Sequence, residues 1–251
     1  MAEKTFIVRI KRQQSPDEAV RWEEYELRSR PHLNIITCLR DIAEKPFTRE
    51  GRQSTPVSYE ANCLEEVCGA CAMLINGQPR QACSAPVDGL EKPIRIEPLT
   101  KFPLVRDLVV DRSQMFEDPK RTKSWIPIDG TRPLGKGPKM APGLQETGYP
   151  LSRCITRGNC LEICSKVSEH SQFMGAAIIS QVRLFNLHPT GGMHAWERLD
   201  ILMGPGGIGD CDNAQNCVKV CPKGIPLTES LAAMNGQVLL HAIKGWFSGC
   251  R

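Results

Sequence analysis

Four cysteines crowd the stretch CLEEVCGACAMLINGQPRQAC, which runs from Cys63 to Cys83. Cys63, Cys68 and Cys71 follow the C-x4-C-x2-C plant-type spacing that wraps a [2Fe-2S] cluster, and Cys83 is placed as the distal fourth thiolate. Such a cluster takes up and gives back one electron at a time. Gly69 and Ala70, both small, let the loop curl tightly so that backbone N–H groups can face anionic sulfur. Structural zinc is the other reading of four thiolates. It usually takes two separated C-x2-4-C pairs, whereas three cysteines in one loop with a lone distal partner is the iron–sulfur layout.

Six more cysteines stand in the second half, as CITRGNCLEICS (Cys154, Cys160, Cys164) and CDNAQNCVKVCP (Cys211, Cys217, Cys221). Bacterial-type two-cluster carriers use runs of C-x2-C-x2-C-x3-C-P, in which the last cysteine of one run ligates the other cluster. That exchange assigns Cys154, Cys160 and Cys221 to one centre and Cys164, Cys211 and Cys217 to another. Three thiolates suit a [3Fe-4S] cluster, while a [4Fe-4S] cubane wants four. The missing ligand of the first set falls at Arg157, whose guanidinium stays protonated and has no lone pair to offer. Ser165 stands where such a run has proline. Three outcomes follow for this centre: a [4Fe-4S] cluster with one iron held by water or a nearby group, a second [3Fe-4S] cluster, or loss of the cluster.

The elements that must position these sulfurs follow from the pattern around them. Phe6, Val8 and Ile10 alternate as a half-buried strand, with Trp22 to Leu27 as its partner. Ile35, Leu39 and Ile42 recur at helical spacing behind an Asn34 cap, and Pro46 ends the segment. Cys38 in that helix reads as a small core residue. Pro56 to Tyr59 reads as a short strand. Asn76-Gly77 is the dipeptide of a two-residue type I′ hairpin, and pairing Ile75 with Gln78 sets Ala70 opposite Cys83. Lys92 to Pro98 is the last strand, closing a mixed α+β unit of about 100 residues.

Beyond it, Val105, Leu108, Val109, Met115 and Phe116 read as a helix ending at Pro119, which starts a second domain. Residues 124–150 are rich in Pro and Gly and read as an irregular wrap anchored by Trp125, Ile126, Ile128 and Leu134. Helices are expected over Phe173–Leu187, His194–Met203, Ala214–Val220 and Leu227–Phe247, with turns at Gly191-Gly192 and from Gly204 to Gly209. Trp196, Leu199 and Leu202 form a core stripe. Cys250 is a free thiol, and His170, His188 and His194 are ordinary histidines.

The chain has 251 residues, 41% of them hydrophobic, enough for two cored domains. Its net charge of +4 arises from 32 basic and 28 acidic residues without a long single-sign block, which excludes nucleic-acid binding as a reading. The 12 cysteines could suggest disulfides, but MAEKTFIVRIKRQ lacks the apolar core of a signal peptide, so a reducing compartment is expected. No apolar run approaches the roughly 18 residues of a membrane span.

CLEEVCGACAMLINGQPRQAC, the Pro/Gly-rich middle, SQVRLFNLHPTGG and NCVKVCPKGIPL together resemble the iron–sulfur subunit of succinate dehydrogenase and fumarate reductase, over nearly the whole chain. Among its branches the chain is most similar to the menaquinone-linked, di-haem bacterial type. The resemblance implies an α+β architecture: a β-grasp [2Fe-2S] ferredoxin-like domain over 1–104, then an all-α bacterial-ferredoxin-like domain over 105–251. It implies a [2Fe-2S] cluster on Cys63, Cys68, Cys71 and Cys83, near a flavin. A [4Fe-4S] site would follow on Cys154, Cys160 and Cys221, with its fourth ligand replaced by Arg157. A [3Fe-4S] cluster on Cys164, Cys211 and Cys217 would lie beside quinone.

The implied partners are a flavoprotein subunit carrying FAD, a haem-containing membrane anchor and a quinone, menaquinone by this branch, at the cytoplasmic face of the membrane. Electrons from succinate oxidation would pass through this chain, which holds no catalytic acid or base. Residues of some ubiquinone-using members near the last cluster correspond roughly to Glu169 and Asp212. The alternatives are a fumarate reductase subunit working in reverse, and a zinc-stabilised interaction protein without redox function.

Overall fold

The computed structural model describes residues 4–127, 138–168 and 170–248. Two compact units emerge: Met1–Arg112 together with Arg157–Glu162, and Ser113–Thr156 together with Ile163–Arg251.

In the first unit, β1 (Thr5–Arg12) and β2 (Arg21–Arg28) pair antiparallel from Thr5 opposite Arg28 to Arg12 opposite Arg21. The alternation of β1 puts Phe6, Val8 and Ile10 into the core. Helix α1 (Ile35–Glu44) begins at the Asn34 cap, where the Asn34 side chain accepts from the Thr37 N–H and the Thr37 hydroxyl accepts from the Asn34 N–H. It buries Ile35, Ile36, Cys38, Leu39 and Ile42, each large aliphatic contributing roughly 1.5–3 kcal/mol. Burial pushes the Cys38 thiol up to about 12, as befits a core residue.

Strands β3 (Ala72–Ile75) and β4 (Gln78–Gln81) form the expected hairpin, Ile75 opposite Gln78, with Asn76 and Gly77 at φ +50° and +74°. Strand β5 (Ile94–Glu97) runs parallel to β1 and antiparallel to β3, giving a mixed sheet ordered β2-β1-β5-β3-β4. With α1 packed on it, this is the β-grasp arrangement.

Three expectations for this unit change. Pro56 to Tyr59 forms no strand; Ser58 is fixed instead by its N–H on Asp107 Oδ2 at 3.0 Å and by its carbonyl, which accepts from the Leu108 N–H at 3.1 Å. The helix expected from Val105 is a ribbon of β6 (Leu104–Arg106) and β7 (Val109–Val110), turned by Asp107 at φ +48°. The buried ion pair between Asp107 and Arg12 overrides the helical spacing there. Finally, residues 157–162, far along the chain, belong to this unit. Helix α2 (Gln114–Arg121) runs through Pro119, and α4 (Asn159–Glu162) is tied to the first unit. The Glu162 carboxylate accepts from the N–H groups of Thr100 and Lys101 and from the Thr100 hydroxyl, and the Asn159 amide donates to Pro79 O at 3.1 Å.

The second unit is helical among its described residues. Helix α3 (Pro142–Ser152) occupies part of the stretch expected to be irregular. Pro142 at its first turn is compatible with a helix start, because the lost N–H has no helical partner there. Ile128 and Leu134 lie outside the described residues, as does Cys250. Helices α5 (Gly175–Leu187), α7 (Ala195–Met203) and α9 (Leu227–Ser248) follow the expected spans closely. Pro189–Gly192 is a short helix, α6, where a turn was expected, and α8 is only Asn216–Lys219. Leu199 and Leu202 are buried, but Trp196 is 57% exposed; a spacing of three and six residues drifts around the helix. Arg198 is buried instead, donating to the carbonyls of Lys123, Gly191 and Trp125 and so fixing the Lys123–Trp125 segment.

Candidate metal centre

The loop before β3 is bent by three residues in the left-handed region, Leu64 (φ +61°), Glu66 (φ +55°) and Gly69 (φ +77°). This bending aims backbone donors at sulfur. The N–H groups of Glu65, Val67 and Cys68 reach Cys63 Sγ at 3.4, 3.3 and 3.2 Å, and the Ala70 N–H reaches Cys68 Sγ at 3.4 Å. Donors from Glu65, Cys68 and Val67 bring the Cys63 thiol down to about 6, a thiolate at neutral pH. Cys71 behaves oppositely: burial, together with the neighbouring Cys83 sulfur, pushes it up to about 11.

The hairpin brings Cys83 to this loop, though not by the pairing expected. The ladder ends with the Ala82 N–H on Cys71 O at 3.0 Å, and Cys83 sits in a 3-10 turn, Ala82–Ser84, which presents its sulfur to Cys71. The Asn34 amide holds that turn by donating to Cys83 O at 3.1 Å. Gln81, buried, accepts from the Cys71 thiol at 3.6 Å.

Arg112 is a positioning residue that no motif marked. Its Nη1 donates to Gly69 O at 3.0 Å and its Nη2 to Ala70 O at 3.3 Å, while Glu60 pairs with it from the other side. Turning those two carbonyls outward leaves the peptide N–H groups of the loop free to face inward. The arrangement suits anionic sulfur, since oriented backbone donors make a nest for negative charge.

In the second unit, Cys217 is raised by burial and then by the charges of Cys164 and Cys211, so the three thiols sense one another. Ser165, at the position of a proline in the usual run, ties two of their loops by donating to Asp212 Oδ2 at 3.0 Å. Lys166 lies 3.9 Å from the same carboxylate. Asp212 is held below the usual carboxylate range, chiefly by the Ser165 hydroxyl. Glu169 lies outside the described residues.

Cys160 lies in α4, Cys154 follows α3 and Cys221 follows α8; all three are half-buried. None of the described cysteines forms a disulfide. Among the described residues, no three His, Cys, Asp or Glu side chains close around a point that one metal ion could occupy. Two of the histidines are engaged elsewhere: His188 Nδ1 accepts from the Gly191 N–H, and His194 pairs with Glu197 at 3.1 Å. Arg157 is buried, with Nη1 at 3.6 Å from Glu66 Oε1. A fourth thiolate is therefore missing from the centre that the spacing assigns to Cys154, Cys160 and Cys221.

Comparisons with known proteins bear on the family and the fold of the chain. The family model described as a 2Fe-2S iron–sulfur cluster binding domain matches residues 7–117. The chain is 53% identical over 249 residues to the succinate dehydrogenase iron–sulfur subunit of Bacillus subtilis, covering 99% of this chain and 98% of that protein. It is 27% identical over 221 residues to the fumarate reductase iron–sulfur subunit of Wolinella succinogenes, covering 87% and 90% of the two. In fold it matches a chain of the Mycobacterium smegmatis Sdh1 complex in the apo form, with a TM-score of 0.80 at 23% identity over 94% of this chain and 96% of that one.

Proposed function

We propose, from the premise that this chain belongs to the family of succinate dehydrogenase and fumarate reductase iron–sulfur subunits, that it is the electron wire between a flavoprotein and membrane quinone. The observation that carries this reading is the Cys63–Cys71 loop, whose backbone donors already converge on sulfur. When bound, iron–sulfur clusters supply one-electron carriage. The chain's own residues do the rest.

Cys63, Cys68, Cys71 and Cys83 would hold a [2Fe-2S] cluster, and Cys164, Cys211 and Cys217 a [3Fe-4S] cluster. Cys154, Cys160 and Cys221 would hold the middle centre, nominally [4Fe-4S]. Residues 1–104 would serve the first centre and 105–251 the other two. Electrons would enter from succinate oxidation on an FAD-bearing subunit and leave to a quinone, menaquinone by the resemblance to the di-haem branch.

Among the described residues no helix is long and apolar enough to cross a membrane, so attachment to the cytoplasmic face would go through a haem-containing anchor. Leu239, Leu240, Ile243 and Trp246, left exposed along α9, support docking to a protein partner. The similarity to the Wolinella subunit supports the reverse direction, fumarate reduction, as a second reading.

EPR of the purified complex, oxidised and then reduced with succinate, tests the proposal together with iron and acid-labile sulfide content. Three centres reduced by succinate are expected. Colourless protein with zinc at these thiols refutes it.

A further inference from the structure

Within the first unit, Arg157 meets the Cys63–Cys71 loop through charge. Its guanidinium is buried, and among the described residues neither Nη1 nor Nη2 has a hydrogen-bond acceptor. Glu66 Oε1 lies 3.6 Å from Nη1, near enough for Coulomb attraction and too far for a hydrogen bond. Arg12, the other buried guanidinium of this unit, is fixed instead by donating to Glu23, Asp107, Tyr25, Ser54 and Thr55.

Both members of the Arg157–Glu66 pair are held in place by their neighbours. Glu66, at φ +55°, stands between Cys63 and Cys68, flanked by Glu65 and Val67, whose N–H groups reach Cys63 Sγ. Residues 157–162 are tied to the same unit by Asn159, which donates to Pro79 O at 3.1 Å and accepts from Gln81 Nε2 at 3.5 Å. Glu162 adds the N–H groups of Thr100 and Lys101. Gln81 in turn contacts Cys71 Sγ at 3.6 Å. The segment that carries Arg157 therefore reaches the loop twice, at Glu66 and, through Gln81, at Cys71.

We propose that Arg157 is the internal counter-charge of this loop: it offsets Glu66 and holds up the reduction potential of the [2Fe-2S] centre on Cys63, Cys68, Cys71 and Cys83. The inference rests on the electron-wire reading above. Reduction adds one negative charge, so a nearby cation favours it and a nearby anion opposes it. The two charges are unequally screened. The Glu66 side chain is 32% exposed and that of Arg157 only 7%, so water weakens the carboxylate more than the guanidinium. The pair as a whole therefore acts on the loop as a positive charge. Arg157 is a positioning residue, acting through the loop and not as a ligand.

The test is an EPR-monitored redox titration of the [2Fe-2S] signal in the purified complex. Arg157→Gln is expected to shift the reduction equilibrium at least threefold toward the oxidised form. Glu66→Gln should shift it the other way, by a smaller factor of about two, because that charge is the better screened. The double variant should fall between the two single variants, and Arg157→Lys, which keeps the charge, should stay near wild type. A purely structural clasp gives a different pattern, in which either single variant loosens the same loop and moves the potential in the same direction. Shifts of one sign in both variants, or an unmoved potential in Arg157→Gln, overturn the proposal. If Arg157→Gln does not accumulate, Glu66→Gln decides alone: easier reduction supports the proposal, and an unmoved or harder reduction overturns it. Each of these results leaves the electron-wire reading intact. A wild-type complex without any [2Fe-2S] signal defeats that reading, and this proposal with it.

Discussion

Replacing Arg12 by methionine should loosen the first unit by far more than one lost contact. The guanidinium is fully buried and bridges two carboxylates, Glu23 at 2.5 Å and Asp107 at 3.0 Å, each itself almost wholly buried. Methionine fills much of the volume but leaves both carboxylates without a counter-charge. Breaking one buried pair from one side costs about 3–5 kcal/mol, a large part of the roughly 5–15 kcal/mol that holds a domain together.

The damage should reach the cluster loop. Asp107 also accepts from the N–H groups of Gln13 and Ser58, which anchors the chain just before Cys63. The acid limb of stability supplies a second signature. Burial alone would raise the Glu23 carboxyl, but hydrogen bonds from Tyr25, Ser54 and Arg21 and the charge of Arg12 outweigh it and hold the group below its ordinary 4.5. A depressed folded-state value gives stability that is present above the unfolded value and is lost as pH falls through the lower, folded one. The wild type should therefore lose part of its stability as pH falls below that ordinary value, and Arg12→Met, whose Glu23 loses one of the causes that lower it, should have less of this contribution to lose.

The assay is urea denaturation of the holo-chain, followed by visible absorbance of the first cluster and repeated between pH 3.5 and 7. Pairing Arg12→Met with Glu23→Gln removes one stranded charge, so the double variant should lose less than the sum of the singles. A cost below about 1 kcal/mol for Arg12→Met, of the size of an exposed ion pair, refutes the reasoning.

Asn34→Ala removes both the α1 cap and the donor to Cys83 O; a loss of about 1–2 kcal/mol in thermal or urea unfolding is expected, with faster bleaching of the first cluster. Gly206→Ala would place a methyl 1.9 Å from Gln172 O at φ +76°, so the second unit should lose about 2–4 kcal/mol or fail to accumulate, measured by calorimetry and soluble yield. Cys63→Ala should abolish the [2Fe-2S] EPR signal and leave those of the other centres, because its sulfur is the one held by three loop donors.

The chemistry of this protein was legible in its cysteines because ligand spacing is local: Cys63, Cys68 and Cys71 lie within one loop, and iron needs thiolates at short separations. The β1–β2 pair, the Asn34 cap and the Asn76-Gly77 hairpin were legible for the same reason, since strand alternation, capping and turn chemistry are set by near neighbours. Long-range electrostatics decided what those patterns missed. Val105 to Val109 has helical spacing, but the pull of Arg12 on Asp107 bends it into a ribbon. Arg112 shows no motif, because its role is to hold the carbonyls of Gly69 and Ala70, residues remote in sequence. Residues 157–162 join the first unit through contacts such as those of Asn159 and Glu162, which no periodicity encodes. The sequence by itself determined which residues could bind iron; folding decided which backbone donors face Cys63 and Cys68, because burial and the partners across the fold, not position along the chain, set the energy of a charge.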